Sequence, residues 1–283
     1  MILLMGTTGR VGGSCARYLL NEGVDFRAMG RQAEPPSWLA DAVWRQADLR
    51  NPSSLVPAFD GVTRVLLVAP NAEDQVAMEC AVADQAAASG VELLVKISST
   101  EVGSGATAPF PAAHTAVEAA IAERGIPACM LRPDFFFQNL LMSAPGIKAA
   151  GEFRYPFGDA QVAPLDARDV GEAAARILLG EGHAGQVYAL TGSALMNFHE
   201  VAAGLSEGLR RNVRYVAEAP EAYREFLLGV IPDRWHAEAV SALFDDIREQ
   251  HRSQPSRDLE QILGRPPRSV VAFAAEHAAA FNP

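Results

Sequence analysis

Over its first 190 residues the chain alternates short, continuously apolar runs with amphipathic stretches of helical length. The runs are "ILLM" at 2–5, "DFRAM" at 25–29, "VLLVAP" at 65–70, "ELLVKI" at 92–97, "ACML" at 128–131 and "QVYAL" at 186–190. Runs without polar alternation are strands covered on both faces. Between them lie Val11–Asn21, closed by Gly23, and a stretch at 72–89 headed by Asn71 and ended by Gly90. "AAHTAVEAAIAERG" at 112–125 and "DARDVGEAAARILL" at 166–179, with Asp166 at its start, follow. Each carries the start or stop residues of a helix. Strand–helix alternation at this spacing requires right-handed crossovers, so the fold class is α/β with a doubly wound parallel sheet.

After about residue 192 the texture changes. "NFHEVAAGLSEGLRR" at 197–211 is a helix and "VRYV" at 213–216 a short strand. The remainder reads as helices broken by Pro220, Pro232, Pro255 and Pro266-Pro267. "GEFRYPFGDAQVAPLD" at 151–166 is loop-like and interrupts the sheet pattern. The expected division is a core of 1–134 and 160–192 and a smaller helix-rich C-terminal lobe of 135–159 and 193–283.

Gly6, Gly9 and Gly12 sit at three-residue spacing between the first strand and the first helix. In that context the first glycine permits a tight turn, and the others let backbone approach a pyrophosphate and the helix pack on the strand. The helix N-terminus adds free N–H groups and a positive dipole end. This is the signature of a Rossmann-type dinucleotide site. The second strand ends at Met29-Gly30-Arg31-Gln32, with no carboxylate of the kind that NAD-binding chains place there for the ribose hydroxyls. Arg31 can grip a 2′-phosphate bidentately and Arg10 lies in the loop itself, so NADP(H) is the expected cofactor. The cofactor-binding set is Gly6, Thr8, Gly9, Arg10, Val11, Gly12, Arg31, Asp48, Ala69, Lys96 and Phe135.

With "VKISST", "HTAVEAAIAERGIP", "LRPDFFFQNLL", "GDAQVAPLDARDVGEAAARIL", "NFHEVAAGLSEGL" and "LGRPPRSVVAFAAEHAAAF" added to the glycine loop, the chain resembles the NmrA-like group of atypical short-chain dehydrogenase/reductases along nearly its whole length. The resemblance implies an NADP(H)-binding Rossmann domain, a small C-terminal lobe and a substrate cleft. It leaves activity open, since the group holds quinone and dye reductases and also cofactor-sensing regulators.

Ordinary short-chain reductases use Tyr-x-x-x-Lys on the helix after the fifth strand, the tyrosine protonating a carbonyl oxygen. Here that helix carries His114-x-x-x-Glu118. The candidate catalytic residues are then His114, a proton donor near neutral pH with Glu118 one turn along to orient it; Lys96, reaching the nicotinamide or ribose; and Ser98, at the carboxyl edge of its strand. Without the tyrosine, an electron-poor quinone, dye or other conjugated ring is a better hydride acceptor than a simple ketone. One of Phe135, Phe136 and Phe137, with Asn139 as a polar anchor, and Tyr155, Phe157, Tyr223, Phe226 and Trp235 are candidate lining for such a flat ligand.

Three functional classes therefore stand: an NADPH-dependent oxidoreductase acting on a flat aromatic small molecule, a non-catalytic NADP(H) sensor, and an epimerase-like biosynthetic enzyme. A net charge of −10 argues against nucleic-acid and anionic-membrane partners. No apolar run approaches the roughly 18–20 residues that cross a bilayer, and "MILLMG" lacks the basic start of a signal peptide. The three scattered cysteines, Cys15, Cys80 and Cys129, provide neither a disulfide framework nor a metal site and fit a cytoplasmic protein. Cys15 reads as a small packing residue. Folds of this kind often pair as homodimers, though nothing in the sequence marks an interface.

Overall fold

A computed structural model describes residues 1–40, 43–249 and 254–282. The chain opens with β1 (Ile2–Leu4), α1 (Arg10–Asn21), β2 (Phe26–Gly30), β3 (Trp44–Gln46), α2 (Pro52–Leu55), β4 (Arg64–Leu67) and α3 (Gln75–Ala88). It continues with β5 (Leu93–Ile97), α4 (Pro109–Glu123), β6 (Ala128–Pro133), α5 (Ala144–Ala150), β7 (Glu152–Tyr155) and β8 (Gln161–Val162). Then come α6 (Ala167–Leu179), β9 (Val187–Leu190), β10 (Met196–Asn197), α7 (Phe198–Leu209), β11 (Arg214–Ala217) and α8 (Pro220–Val230). The last helices are α9 (Arg234–Arg248), α10 (Asp258–Leu263), α11 (Val270–Glu276) and α12 (Ala278–Phe281).

Two compact units result, residues 1–99, 113–132 and 167–188 forming the first and 100–112, 133–166 and 189–283 the second. Residues 100–112, 133–134, 160–166 and 189–192 group with the second unit, where the sequence pattern places them in the core. Their partners explain it. The Asp246 carboxylate accepts from the Thr107 and Ala108 N–H groups, and the Phe110 ring packs on Trp235. Val162 pairs with Met196, and the Gly192 N–H donates to the Ala163 carbonyl.

The sheet runs β3-β2-β1-β4-β5-β6-β9, and the pairings from β3 through β6 are parallel. This order reverses direction between β1 and β4, which is the switch point where open α/β sheets bind ligands beyond their carboxyl ends. One face buries Leu3, Val65, Leu67 and Leu94 against Val82 and Ala86 of α3 and Val117 and Ile121 of α4. On α1 and α6 a Cβ at Gly171 would lie 2.5 Å from that of Ser14 and 2.6 Å from the Val11 carbonyl, so the two helices meet backbone to backbone.

Three local readings needed correction. β3 has no apolar run to mark it, because it is a three-residue edge strand in which only Trp44 is buried. α3 begins at Gln75, not after Asn71, with Asp74 in the capping position. The loop-like stretch 151–166 contains β7 and β8, whose partners β11 and β10 lie far along the chain: β7 pairs in parallel with β11, and β8 antiparallel with β10.

The second unit is packed around rings: Phe135 contacts Tyr155, Phe157 and Phe198, and Tyr155 also meets Tyr223 and Phe244. α7 is closed at its start by a reciprocal pair, Asn197 Oδ1 accepting from the Glu200 N–H while Glu200 accepts from the Asn197 N–H.

Candidate functional site

The glycine loop leaves β1 at Gly6, whose φ of 66° lies in the left-handed region that L side chains avoid. Gly9 then donates its N–H to the Gly6 carbonyl at 2.8 Å and stands at the start of α1. A Cβ at Gly12 would fall 2.4 Å from the Gly6 oxygen and 2.6 Å from the Met5 oxygen, so only glycine lets α1 approach β1 this closely. No side chain caps α1, and the N–H groups of its first turn lack an intrahelical acceptor.

A groove of about 330 Å³ opens at this point. Gly6, Thr8 and Gly9 of the loop, Arg31 after β2, Asp48 and Leu49 after β3, Val68, Ala69 and Pro70 after β4, and Met78 of α3 line it. Of the expected cofactor set, Gly6, Thr8, Gly9, Arg31, Asp48 and Ala69 converge there. Val11 and Gly12 are buried beneath the loop and Arg10 is exposed on α1. Sequence reasoning missed Val68, Pro70, Met78 and Arg50. The end of the "VLLVAP" strand could have pointed to the first two, because ligands collect at strand carboxyl ends.

The rim around Arg31 is built by β3. A Cβ at Gly30 would lie 2.5 Å from the Trp44 ring, so glycine lets the indole cover the strand end. The Trp44 indole N–H donates to the Gln32 carbonyl at 3.0 Å and the Gln46 amide to the Arg31 carbonyl at 3.1 Å. These bonds fix the backbone on both sides of Arg31 while its side chain stays exposed. Arg50, also on the groove, is engaged bidentately by Asp74 at 2.6 and 2.8 Å, and its N–H donates to Asp48. Among the described residues no ion pair engages Arg31.

The candidate catalytic residues lie elsewhere in the first unit, in two buried networks. Lys96 is completely buried. Its ammonium pairs with Glu79 at 2.7 Å, donates to the Ile97 carbonyl and lies 3.1 Å from His114 Nδ1. Gln75 donates to Glu79 at 2.8 Å and sits 3.3 Å from the same imidazole nitrogen. Burial first, and then the Lys96 charge, hold the His114 pKa well below the usual 6.5, so the ring is neutral at pH 7. His114 is therefore not the protonated acid expected from the sequence, and Lys96 points into protein rather than toward the groove.

In the second network Glu118 accepts from Ser98 at 2.5 Å and from Arg132 at 2.5 and 3.0 Å. Glu118 orients these two residues and not His114, although it lies one helical turn away. Ser98 stands at the carboxyl edge of β5 as expected, with its hydroxyl proton committed to a carboxylate.

Phe135, expected at the cofactor, is enclosed by the rings of the second unit and serves as core. Tyr155, Phe157 and Tyr223 are buried in the same cluster, whereas Phe226 remains 51 % exposed on α8. Asn139 engages Tyr155 through its backbone carbonyl. Cys15 is fully buried beneath the glycine loop, and burial pushes its thiol far up; Cys129 is pushed up to about 12. Neither is a nucleophile at neutral pH. Among the described residues no helix is long and apolar enough to cross a membrane.

A 3-2-1-4-5-6 sheet with a glycine-cradled groove at its switch point defines a Rossmann-type α/β protein. Residues 1–266 match the model of the NmrA-like family, and the chain belongs to that family. It is 35 % identical to an NAD(P)H azoreductase of Xenophilus azovorans, over all of this chain and 99 % of that protein. The crystal structure of an NADPH-dependent quinone oxidoreductase of Escherichia coli complexed with NADPH superposes with a TM-score of 0.86 at 25 % identity, covering 98 % of this chain and 99 % of the other. The Citrobacter triphenylmethane reductase complexed with NADP(H) gives 0.84 at 26 % identity, covering 98 % and 100 %.

Proposed function

We propose that this protein is an NADPH-dependent oxidoreductase that passes hydride to a flat, conjugated acceptor of the quinone, azo or arylmethane type. The observation that carries it is the groove: a cradle that admits no Cβ at Gly12, with the Arg31 guanidinium at the rim engaged by no ion pair among the described residues. A dinucleotide fits those residues. The loop amides and the start of α1 would hold its pyrophosphate, Arg31 its 2′-phosphate, and Leu49, Val68 and Met78 would flank its adenine. When bound, the reduced dinucleotide supplies the hydride; the protein's task is to orient it and exclude water.

Acceptors of this class suit the remaining chemistry. No Tyr-x-x-x-Lys pair is present on α4, the Ser98 proton is held by Glu118, and His114 is neutral, so an acceptor whose reduced form needs no strong acid is favoured. Full-length similarity to proteins named for the reduction of azo compounds, quinones and triphenylmethane dyes supports the same acceptor class. It favours catalysis over the cofactor-sensing role.

The test is NADPH consumption with menadione, methyl red and malachite green, run beside calorimetric titration of NADPH and NADH. Turnover with at least one acceptor, and tighter binding of NADPH than NADH, are expected. Tight binding without turnover of any acceptor would replace catalysis by sensing. Absence of binding heat with both nucleotides would overturn the assignment altogether.

A further inference from the structure

The Lys96 ammonium donates to the Ile97 carbonyl, lies 3.1 Å from His114 Nδ1 and is ion-paired with Glu79 Oε2 at 2.7 Å. An ammonium cannot accept a hydrogen bond, so Nδ1 must be the unprotonated nitrogen of the ring. Gln75 enforces the same choice. Its amide nitrogen donates to Glu79 Oε1, which fixes the orientation of the amide and turns its N–H side toward Nδ1. The proton of the neutral imidazole therefore resides on Nε2. Among the described residues Nε2 has no hydrogen-bond partner, and His114 as a residue keeps 8 % of its surface exposed.

We propose that His114 serves the reduction as a neutral hydrogen-bond donor through Nε2–H, and that Lys96, compensated by Glu79, is the positioning residue that fixes this tautomer. The proposal rests on the reductase reading above. His114 would donate to the acceptor atom that gains negative charge as hydride arrives; the proton that completes the reduction comes from water, because a neutral imidazole does not give up its last proton. The groups facing the ring are Gln75 and Glu79 on α3, Lys96 on β5 and, on its own helix, Glu118, which Ser98 and Arg132 already occupy. Neither of these two carboxylates is free to stabilise an imidazolium, since Glu79 is bound to Lys96 and Gln75 and Glu118 to Ser98 and Arg132.

Histidine-selective 15N labelling tests the tautomer directly, with the His114 resonance identified by its loss in H114Q. The expected spectrum shows Nε2 protonated, Nδ1 bare, and no titration between about pH 5.5 and 8, the range in which an ordinary histidine changes charge. A protonated Nδ1, or a titration inside that range, would overturn the proposal. The double variant E79L/K96M removes both charges, and His114 is then expected to populate both tautomers. An unchanged spectrum would show that Lys96 does not set the proton position.

The donor role is read from menadione turnover, with NADPH affinity measured in parallel. Loss of one positioned donor lowers kcat about 100-fold, so H114L should fall by that order at unchanged NADPH affinity. H114Q, whose amide nitrogen reaches the Nε2 position, should recover at least about tenfold of it. Equal loss in both variants would overturn the donor role. A wild type that binds NADPH and reduces nothing would overturn the reductase reading and the donor role with it, and the tautomer spectrum separates that failure from a wrong assignment of the ring.

Discussion

Enlarging Gly12 by one methyl group is the most direct challenge to the proposed site. The added Cβ of G12A would sit 2.4 Å from the Gly6 oxygen and 2.6 Å from that of Met5, both backbone atoms that no rotamer change can move. Relief to an ordinary carbon–oxygen contact of about 3.3 Å demands about 0.9 Å of displacement between α1 and the loop. Overpacking of that kind costs about 1–3 kcal/mol, offset by up to about 1 kcal/mol of improved helix propensity. The net loss of about 1–2 kcal/mol should lower Tm by about 2–3 °C. Binding suffers more, because a loop amide displaced by that much no longer reaches a phosphate oxygen. One charge-assisted bond lost is worth about 1.5–3 kcal/mol, or a roughly 10- to 150-fold weaker Kd for NADPH. G229A is the control: a Cβ there meets nothing within 4 Å, so it should leave binding unchanged and stability equal or slightly higher. Calorimetry and thermal unfolding on the three proteins decide the matter. If G12A bound NADPH within twofold of wild type and melted at the same temperature, close approach of helix and loop would not be what forms the site.

R31D should weaken NADPH about 100-fold by removing a bidentate phosphate contact while changing NADH only a few-fold; equal effects in calorimetry would rule out a 2′-phosphate contact. E79L strands Lys96 as a buried charge and should cost about 3–5 kcal/mol in urea unfolding, most of it restored in E79L/K96M; additive losses would show that the two do not act as a pair. The depressed pKa of His114 gives a defined pH dependence. Above pH 6.5 the ring is neutral folded or unfolded; below it the unfolded chain takes up a proton that the folded one refuses, so stability falls with acidification. Between pH 6.5 and 5.5 wild type should lose up to about 1 kcal/mol more than H114L in denaturant titrations, and parallel losses would mean that His114 ionises normally.

The parts of the site that the sequence revealed are those whose geometry is local. Gly6 to Gly12 are consecutive positions of one turn, and their spacing between an apolar run and a helix already implies close backbone approach. Arg31 was legible for a similar reason, because a strand end in this topology faces the ligand edge whatever packs around it. Glu118 misled because helical spacing showed only that it is near His114. Spacing along one element carries no information about Arg132 or Ser98, which arrive from neighbouring strands and compete for the carboxylate.

By itself, then, the chain dictated a doubly wound parallel sheet, the six strands that are continuous apolar runs with the long helices between them, and a glycine cradle at the first turn. Apolar periodicity and glycine stereochemistry act within a few residues of each other. Only the tertiary structure decided what Lys96, Glu79, Gln75 and His114 are. Three elements must pack before an ammonium loses its water, takes a carboxylate as counterion and an imidazole nitrogen as acceptor, and so converts a residue expected to donate protons into one held neutral. In the same way the rings that looked like a cleft lining became core, because Phe135, Tyr155 and Phe157 bury more apolar surface against each other than solvent would allow them to expose.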